Sequence, residues 1–265
     1  MANWVWKGLA TGVVTTRYPF GREELPGAFG AAPVVTEGIC SSACSKCLEI
    51  CFPKAVGKTS GSPGAPVIDY AKCLFCLRCA DVCPEKIIRP GNIFELACLR
   101  NESRGKATGE AGKTRKAAAA GRLFRRSLHI RHVDAGSCEA CLSEVHALSN
   151  PYYDLHRLGL FFVNSPRHAD ALLVSGPVTK NMEEALLKTY QAMPAPKLVI
   201  AAGSCAAGGG PTGTNYACVH RLDDLLPVDL VIPGCPPGPL TLLHGLLLAL
   251  GRAGEREEKR EGKSE

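Results

Sequence analysis

The sequence predicts two folding units of different class: an α+β module over residues 1–99, stapled by cysteine runs, and an α/β domain over residues 127–254 built on a mostly parallel sheet. Three observations carry this reading. Two dense cysteine runs, at 40–51 and 73–83, form an imperfect internal repeat, each ending near a proline. Residues 100–126 then hold nine Lys or Arg against two Glu, among scattered glycines and the alanine run 117–120. Beyond them, continuous apolar runs alternate with helical patterns, as expected of strands buried on both faces of a parallel sheet. A chain of 265 residues is long enough for two modest domains, each with its own core.

The break at 100–126 carries +7 in a chain whose formal total is +6, so the remainder sums to about −1 and the basicity is local. Its glycines and charge predict a solvated linker. Aromatic side chains for stacking on bases are nearly absent from it, which argues against a nucleic-acid partner. Arg252 to Glu265 mixes five basic and five acidic residues, so 255–265 reads as a charged tail.

In the second domain the predicted strands are Ser127 to Val133, Leu160 to Val163, Ala171 to Val174, Leu198 to Ala202 and Leu230 to Ile232. The predicted helices are Glu139 to Leu148, Asn181 to Gln191 and Pro239 to Arg252, with Asn181 as an N-cap and Gly254 just past the last. The longest apolar stretch, Leu240 to Leu250, has eleven residues, well short of the roughly 18 to 20 of a membrane span. Trp4, Val5, Trp6, Leu9, Val13 and Val14 make the first segment apolar, suited to a membrane surface, a partner or its own domain.

Fourteen cysteines are far more than an ordinary chain keeps. Met1 to Leu9 lacks the pattern of a signal peptide, so a reducing compartment is expected, where clustered thiols are metal ligands more often than disulfides. The second run, Cys73-x2-Cys76-x2-Cys79-x3-Cys83-Pro84, has the ligand spacing of bacterial two-cluster ferredoxins. The first, Cys40-x3-Cys44-x2-Cys47-x3-Cys51, carries one extra residue between its first two cysteines, which puts Cys40 in question. Because the fourth cysteine of each run serves the other cluster in such ferredoxins, one [4Fe-4S] cluster is assigned Cys40, Cys44, Cys47 and Cys83, and a second Cys51, Cys73, Cys76 and Cys79.

The remaining cysteines follow strands. Cys138 and Cys141 come after Val133, Cys205 after Ala202 and Cys235 after Ile232, at the carboxyl edge where parallel α/β sheets bind ligands. These four would hold a third [4Fe-4S] cluster. A four-thiolate zinc site fits the same spacing. Gly136, Gly203 and Gly234 precede the cysteines closely, letting backbone approach the site. Cys98 and Cys218 fit neither pattern and read as small buried residues.

These motifs carry a family resemblance over most of the chain. GVVTTRYPF (12–20) followed by two cysteine runs resembles the two-cluster ferredoxin subunit of formate hydrogenlyase-type hydrogenases and of complex I. From Arg126, the segments RSLHIRHVDAGSCEAC, ADALLVSGPVTKNM, AAGSCAAGGG and VIPGCPPGP resemble the small subunit of group 4 membrane-bound [NiFe] hydrogenases. The chain thus looks like a fusion of two subunits. Cys138 and Cys141 are separated by two residues as in the hydrogenases, whereas the complex I counterpart has adjacent cysteines.

The resemblance implies an electron-transfer subunit whose third cluster lies proximal to a nickel-iron centre in a partner large subunit. The implied setting is the cytoplasmic face of a membrane, with integral membrane subunits as neighbours. The implied donor is a formate or CO dehydrogenase module or a soluble ferredoxin. A complex I-like oxidoreductase acting on quinone or another acceptor is the alternative, and a zinc-binding interaction protein a more distant one. The family's acidic residue after the second cysteine is replaced by Leu142, leaving Glu144 as the nearby acid. Arg131 and His132, with His129, lie on the preceding strand as possible influences on the local field.

Overall fold

The computed structural model describes residues 3–21, 23, 32–36, 40, 44–58, 65–99, 124, 126–211, 213, 215–218 and 221–253. The expected linker lies outside the described residues except for 124 and 126, and so do Gly254 and the tail.

The cysteine-rich module is a pseudo-repeat. β1 (Pro33–Val35) pairs antiparallel with β4 (Ile88–Pro90), and β2 (Val56–Lys58) with β3 (Pro66–Ile68). Two one-turn helices, α1 (Lys46–Glu49) and α2 (Arg78–Asp81), each carry a buried cysteine at their second position, Cys47 and Cys79. The module's buried cluster is Cys47, Ala55, Val56, Ile68, Cys73, Cys79 and Ile88, so thiols fill a large part of a small core. A unit with this little apolar burial draws much of its folding free energy from metal.

The second unit is a six-stranded sheet in the order β5-β10-β9-β8-β6-β7. Its members are β5 (Cys98–Leu99), β6 (Leu128–Asp134), β7 (Leu160–Phe162), β8 (Ala171–Ser175), β9 (Leu198–Ala202) and β10 (Leu230–Ile232). All pairs are parallel except β10 with β5, which closes the edge antiparallel. Strand residues alternate between two cores: Leu128, Ile130, Leu173, Ile200 and Ile232 on one face, Val133, Leu172, Val174, Val199 and Val231 on the other.

Helices α3 (Ala140–Ala147) and α6 (Pro239–Ala249) cover the first face, and α4 (Lys180–Ala192) and α5 (Gly203–Gly208) the second. The leucine-rich stretch is α6, buried on nearly every side, which accounts for a hydrophobicity interrupted only by Thr241, His244 and Gly245. Among the described residues no helix is long and apolar enough to cross a membrane.

Three details differ from expectation, beyond shifts of a residue at other element ends. Thr179, not Asn181, precedes α4: the amides of Met182 and Glu183 return to the Thr179 carbonyl, and Thr179 itself is held extended by its bridge to Cys218. α6 ends at Ala249 and the chain turns at Gly251, where φ is +69°. Cys98 and Cys218 are half-buried rather than buried.

The N-terminal motif packs on the α/β domain. The Thr16 amide donates to the Tyr152 carbonyl at 2.8 Å, and Arg157 Nη2 donates to the carbonyls of Thr16 and Tyr18 at 2.7 and 2.8 Å. Tyr18, 1% exposed, sits edge-on to Phe94, and both join the first core. The helix ahead of this strap, residues 3–11, buries none of its side chains, and Trp4 and Trp6 are 76% and 70% exposed.

Candidate metal centres

Twelve of the fourteen cysteines fall into three groups whose members act on one another, although among the described residues no three Cys, His, Asp or Glu side chains converge closely enough to hold a single metal ion. Cys40, Cys44, Cys47 and Cys83 line one small pocket, walled by Pro66, Pro84, Ile87 and Ile88. The extra residue in the first run therefore does not carry Cys40 away from its partners. Burial pushes the Cys40 and Cys47 thiols up; Cys44 and Cys83 add to this at Cys40, where Lys58 opposes them, and Cys40, Cys44 and Cys83 add to it at Cys47.

The second set is wound by its loop. Between Cys73 and Cys79 the backbone enters the left-handed region at Phe75 (φ +57°) and Leu77 (φ +59°), a conformation that costs about 1–2 kcal/mol per residue and that tends to persist where function requires it. The turn aims the Phe75 amide at Cys73 Sγ, 3.4 Å away, and the Ala55 amide likewise reaches Cys51 Sγ at 3.2 Å. Such N–H donors stabilise negative charge on sulfur. Burial, then the neighbouring cysteines, holds the thiols of Cys73 and Cys79 up at about 12 and about 11. Cys51 and Cys76 are among the charges acting on both.

The third set stands at the carboxyl edge of the sheet. Cys138 and Cys141 follow β6, Cys205 lies in α5 directly after β9, and Cys235 follows β10. Burial first, then Cys235 and Cys138, pushes Cys141 to about 12. Cys205 donates to the Cys235 sulfur, which raises Cys205 and lowers Cys235 to about 7. Gly203 has φ +85°, and a Cβ there would stand 2.9 Å from Cys141 Sγ, so only glycine lets β9 turn beside the thiol.

Asp134, which the sequence reading passed over, ties down the loop that presents Cys138. Its carboxylate accepts from the amides of Gly136 and Ser137 at 2.9 and 2.7 Å and from Ser137 Oγ at 2.8 Å. Burial alone would raise this carboxyl; the bonds outweigh it and hold the group below its ordinary value. An Asp two residues before a Gly-Ser pair is the available signal, an Asx turn.

Glu144, one turn after Cys141 on α3, is raised by burial and adds to the charge on Cys141. His132 shares a hydrogen bond with Ser175 at 2.9 Å, and burial lowers its pKa. Arg131 Nε is buried with no hydrogen-bond partner among the described residues. His129 sits at the other end of β6, stacked on Phe161 and 3.4 Å from Asp170.

The family described as the NADH ubiquinone oxidoreductase 20 kDa subunit matches residues 138–249, a span that includes all four cysteines of the third set. The 4Fe-4S binding domain matches residues 66–89, the second cysteine run. The probable membrane-bound hydrogenase subunit mbhJ of Pyrococcus furiosus is 45% identical over 129 residues, covering 49% of this chain and 77% of that protein. Among solved structures, a chain of the archaeal membrane-bound sulfane sulfur reductase is 32% identical, with a TM-score of 0.44 over 54% of this chain and 81% of its own. A chain of an NAD+-reducing [NiFe]-hydrogenase is 20% identical, with a TM-score of 0.40 over 48% of this chain and 93% of its own.

Proposed function

This chain belongs to the family of the NADH ubiquinone oxidoreductase 20 kDa subunit, and from that membership we propose that its twelve clustered cysteines hold three [4Fe-4S] clusters in one electron path. It is an iron-sulfur electron-transfer subunit of a membrane-bound, hydrogenase-type oxidoreductase complex, and it binds [4Fe-4S] clusters. The observation that carries the three-cluster reading is the grouping of thiols: each buried cysteine is acted on by the cysteines of its own set of four. An all-thiol set of four is the donor chemistry of such a cluster.

When bound, the clusters supply one-electron chemistry at low potential, on the order of −400 mV for all-cysteine ligation. The chain's own residues hold and insulate them. Cys40, Cys44, Cys47 and Cys83 would ligate the first, Cys51, Cys73, Cys76 and Cys79 the second, and Cys138, Cys141, Cys205 and Cys235 the one proximal to a partner. The amides of Ala55 and Phe75 stabilise the charged form of two of these sulfurs. Asp134 fixes the loop that presents Cys138, and Gly203 clears room for Cys141.

The partner in this reading is a large subunit with a nickel-iron centre, seated with integral membrane subunits on the cytoplasmic face. Electrons come from a formate or CO dehydrogenase module or a soluble ferredoxin. The test is to purify the complex anaerobically, assay nickel and supply a reduced low-potential donor. Nickel together with H2 evolution is expected. A nickel-free complex that reduces quinone or another acceptor instead would transfer the chain to the complex I-like alternative.

A further inference from the structure

Ser204 lies between two of the cysteine sets and belongs to neither. It is 1% exposed, on the first turn of α5, next to Cys205. Its amide already satisfies the Gly234 carbonyl at 2.8 Å. Its hydroxyl is 3.1 Å from that carbonyl but 2.5 Å from the carbonyl of Cys73, so the proton is directed across the interface to the cysteine module. A buried hydroxyl must find an acceptor, and this one finds it 131 residues away in sequence.

The same contact is marked twice more. Ala71 is buried in the second core of the α/β domain, beside Ala206 and Ala207. Gly208, at the end of α5, comes so near that a Cβ there would stand 2.6 Å from the Ala71 carbonyl oxygen and 2.9 Å from Lys72 Cα.

We propose that Ser204 is a positioning residue: its hydroxyl locks the Cys73 loop onto α5 and provides the electronic contact between the second and third cysteine sets. The proposal rests on the cluster assignment made above. The covalent path from Cys205 to Cys73 is broken by a single hydrogen bond, through the Ser204 backbone, Cβ and Oγ to the Cys73 carbonyl. A second arm runs from the Ser204 amide to Gly234, which adjoins Cys235. When both sets are loaded, one electron leaves the reduced cluster of the second set and arrives at the oxidised cluster of the third; no bond forms or breaks and no proton moves. The hydroxyl dipole also turns its positive end toward a ligand residue of the second set, and hydrogen bonding of this kind is one of the levers on cluster potential.

The experiment compares wild-type complex with Ser204→Ala, which removes one oxygen. Iron content, spin count, the potential of each cluster by spin-resonance titration and the rate of electron arrival at the third set after flash reduction are measured. Full iron and spin counts are expected, with the second set's potential shifted to more negative values and the arrival rate slowed. Unchanged potentials and an unchanged rate would overturn the proposal.

Should Ser204→Ala lose iron, Gly208→Ala decides. It keeps the hydroxyl but forces loop and helix apart; slowed transfer supports the proposal, and an unaltered rate overturns it. A wild-type chain with markedly fewer than about twelve irons overturns the cluster assignment itself, and this proposal with it.

Discussion

Asp134 shows how one side chain controls a ligand it never touches. Its carboxylate gathers three donors in the loop before Cys138, and hydrogen bonds to a charged group are worth roughly 1.5–3 kcal/mol. Asp134→Ala should lower stability by about 2 kcal/mol. It should remove the third set's spin-resonance signal while leaving the ferredoxin-type signals in place. The buried thiols set a pH dependence. Without iron, Cys141 in the α/β domain holds its proton to about 12, against an ordinary value of 9.0. The contribution of Cys141 to the iron-free α/β domain is therefore fully present below pH 9, where the unfolded thiol is also protonated, and is lost as pH climbs toward 12. Iron uptake has the opposite sign, because each ligand must lose its proton. Reconstitution should tighten from pH 7 to 9 with measurable proton release; uptake that does not vary with pH would count against these thiols as ligands. Neither Asp134 nor Ser204 stood out in the sequence, because the partners that define them emerge only when the loop closes or when distant segments meet.

At the scale of elements, the sheet was legible because its strands are continuous apolar runs, and β9 and β10 fall on their expected residues. Two elements packed into the α/β unit were not. β5 is two residues long, antiparallel and at the edge, so it has no periodicity to read. α5 is GSCAAG, six residues of small side chains, helical because Gly203 turns sharply off β9 and the alanines pack in the second core. Gly203→Ala tests that turn: it adds strain at φ +85° and crowds Cys141 Sγ, and should lower iron content by the third cluster alone. The N-terminal strap makes a separate prediction. Arg157→Ala leaves the carbonyls of Thr16 and Tyr18 without its guanidinium, at a cost of about 1–3 kcal/mol, and should expose residues 3–21 to limited proteolysis before the rest of the chain is cut. Equal cleavage of variant and wild type would mean that Tyr18 packing alone holds the strap.

The whole molecule joins a metal-dependent module to a self-sufficient α/β domain through two buried contacts, Ser204 and Ala71 on one side and Tyr18 with Phe94 on the other. The sheet has two cores of its own, whereas three of the seven residues in the module's buried cluster are cysteines. Iron removal should therefore unfold the module while the sheet keeps its circular-dichroism signature, a divided outcome that a uniformly cooperative chain would not give. The ligand grouping proposed above comes from spacing in the first two runs and from position after strands in the third, each pointing to sets of four. The docking of module on sheet was invisible, because it depends on Ala71, Ser204 and Gly208, residues of common type with no pattern. The most direct measurement is iron and acid-labile sulfide per chain in anaerobically isolated complex, with spin counting of the fully reduced form. Three sets of four thiols predict about twelve irons and three spins per chain; about four irons, or zinc in their place, would contradict the account.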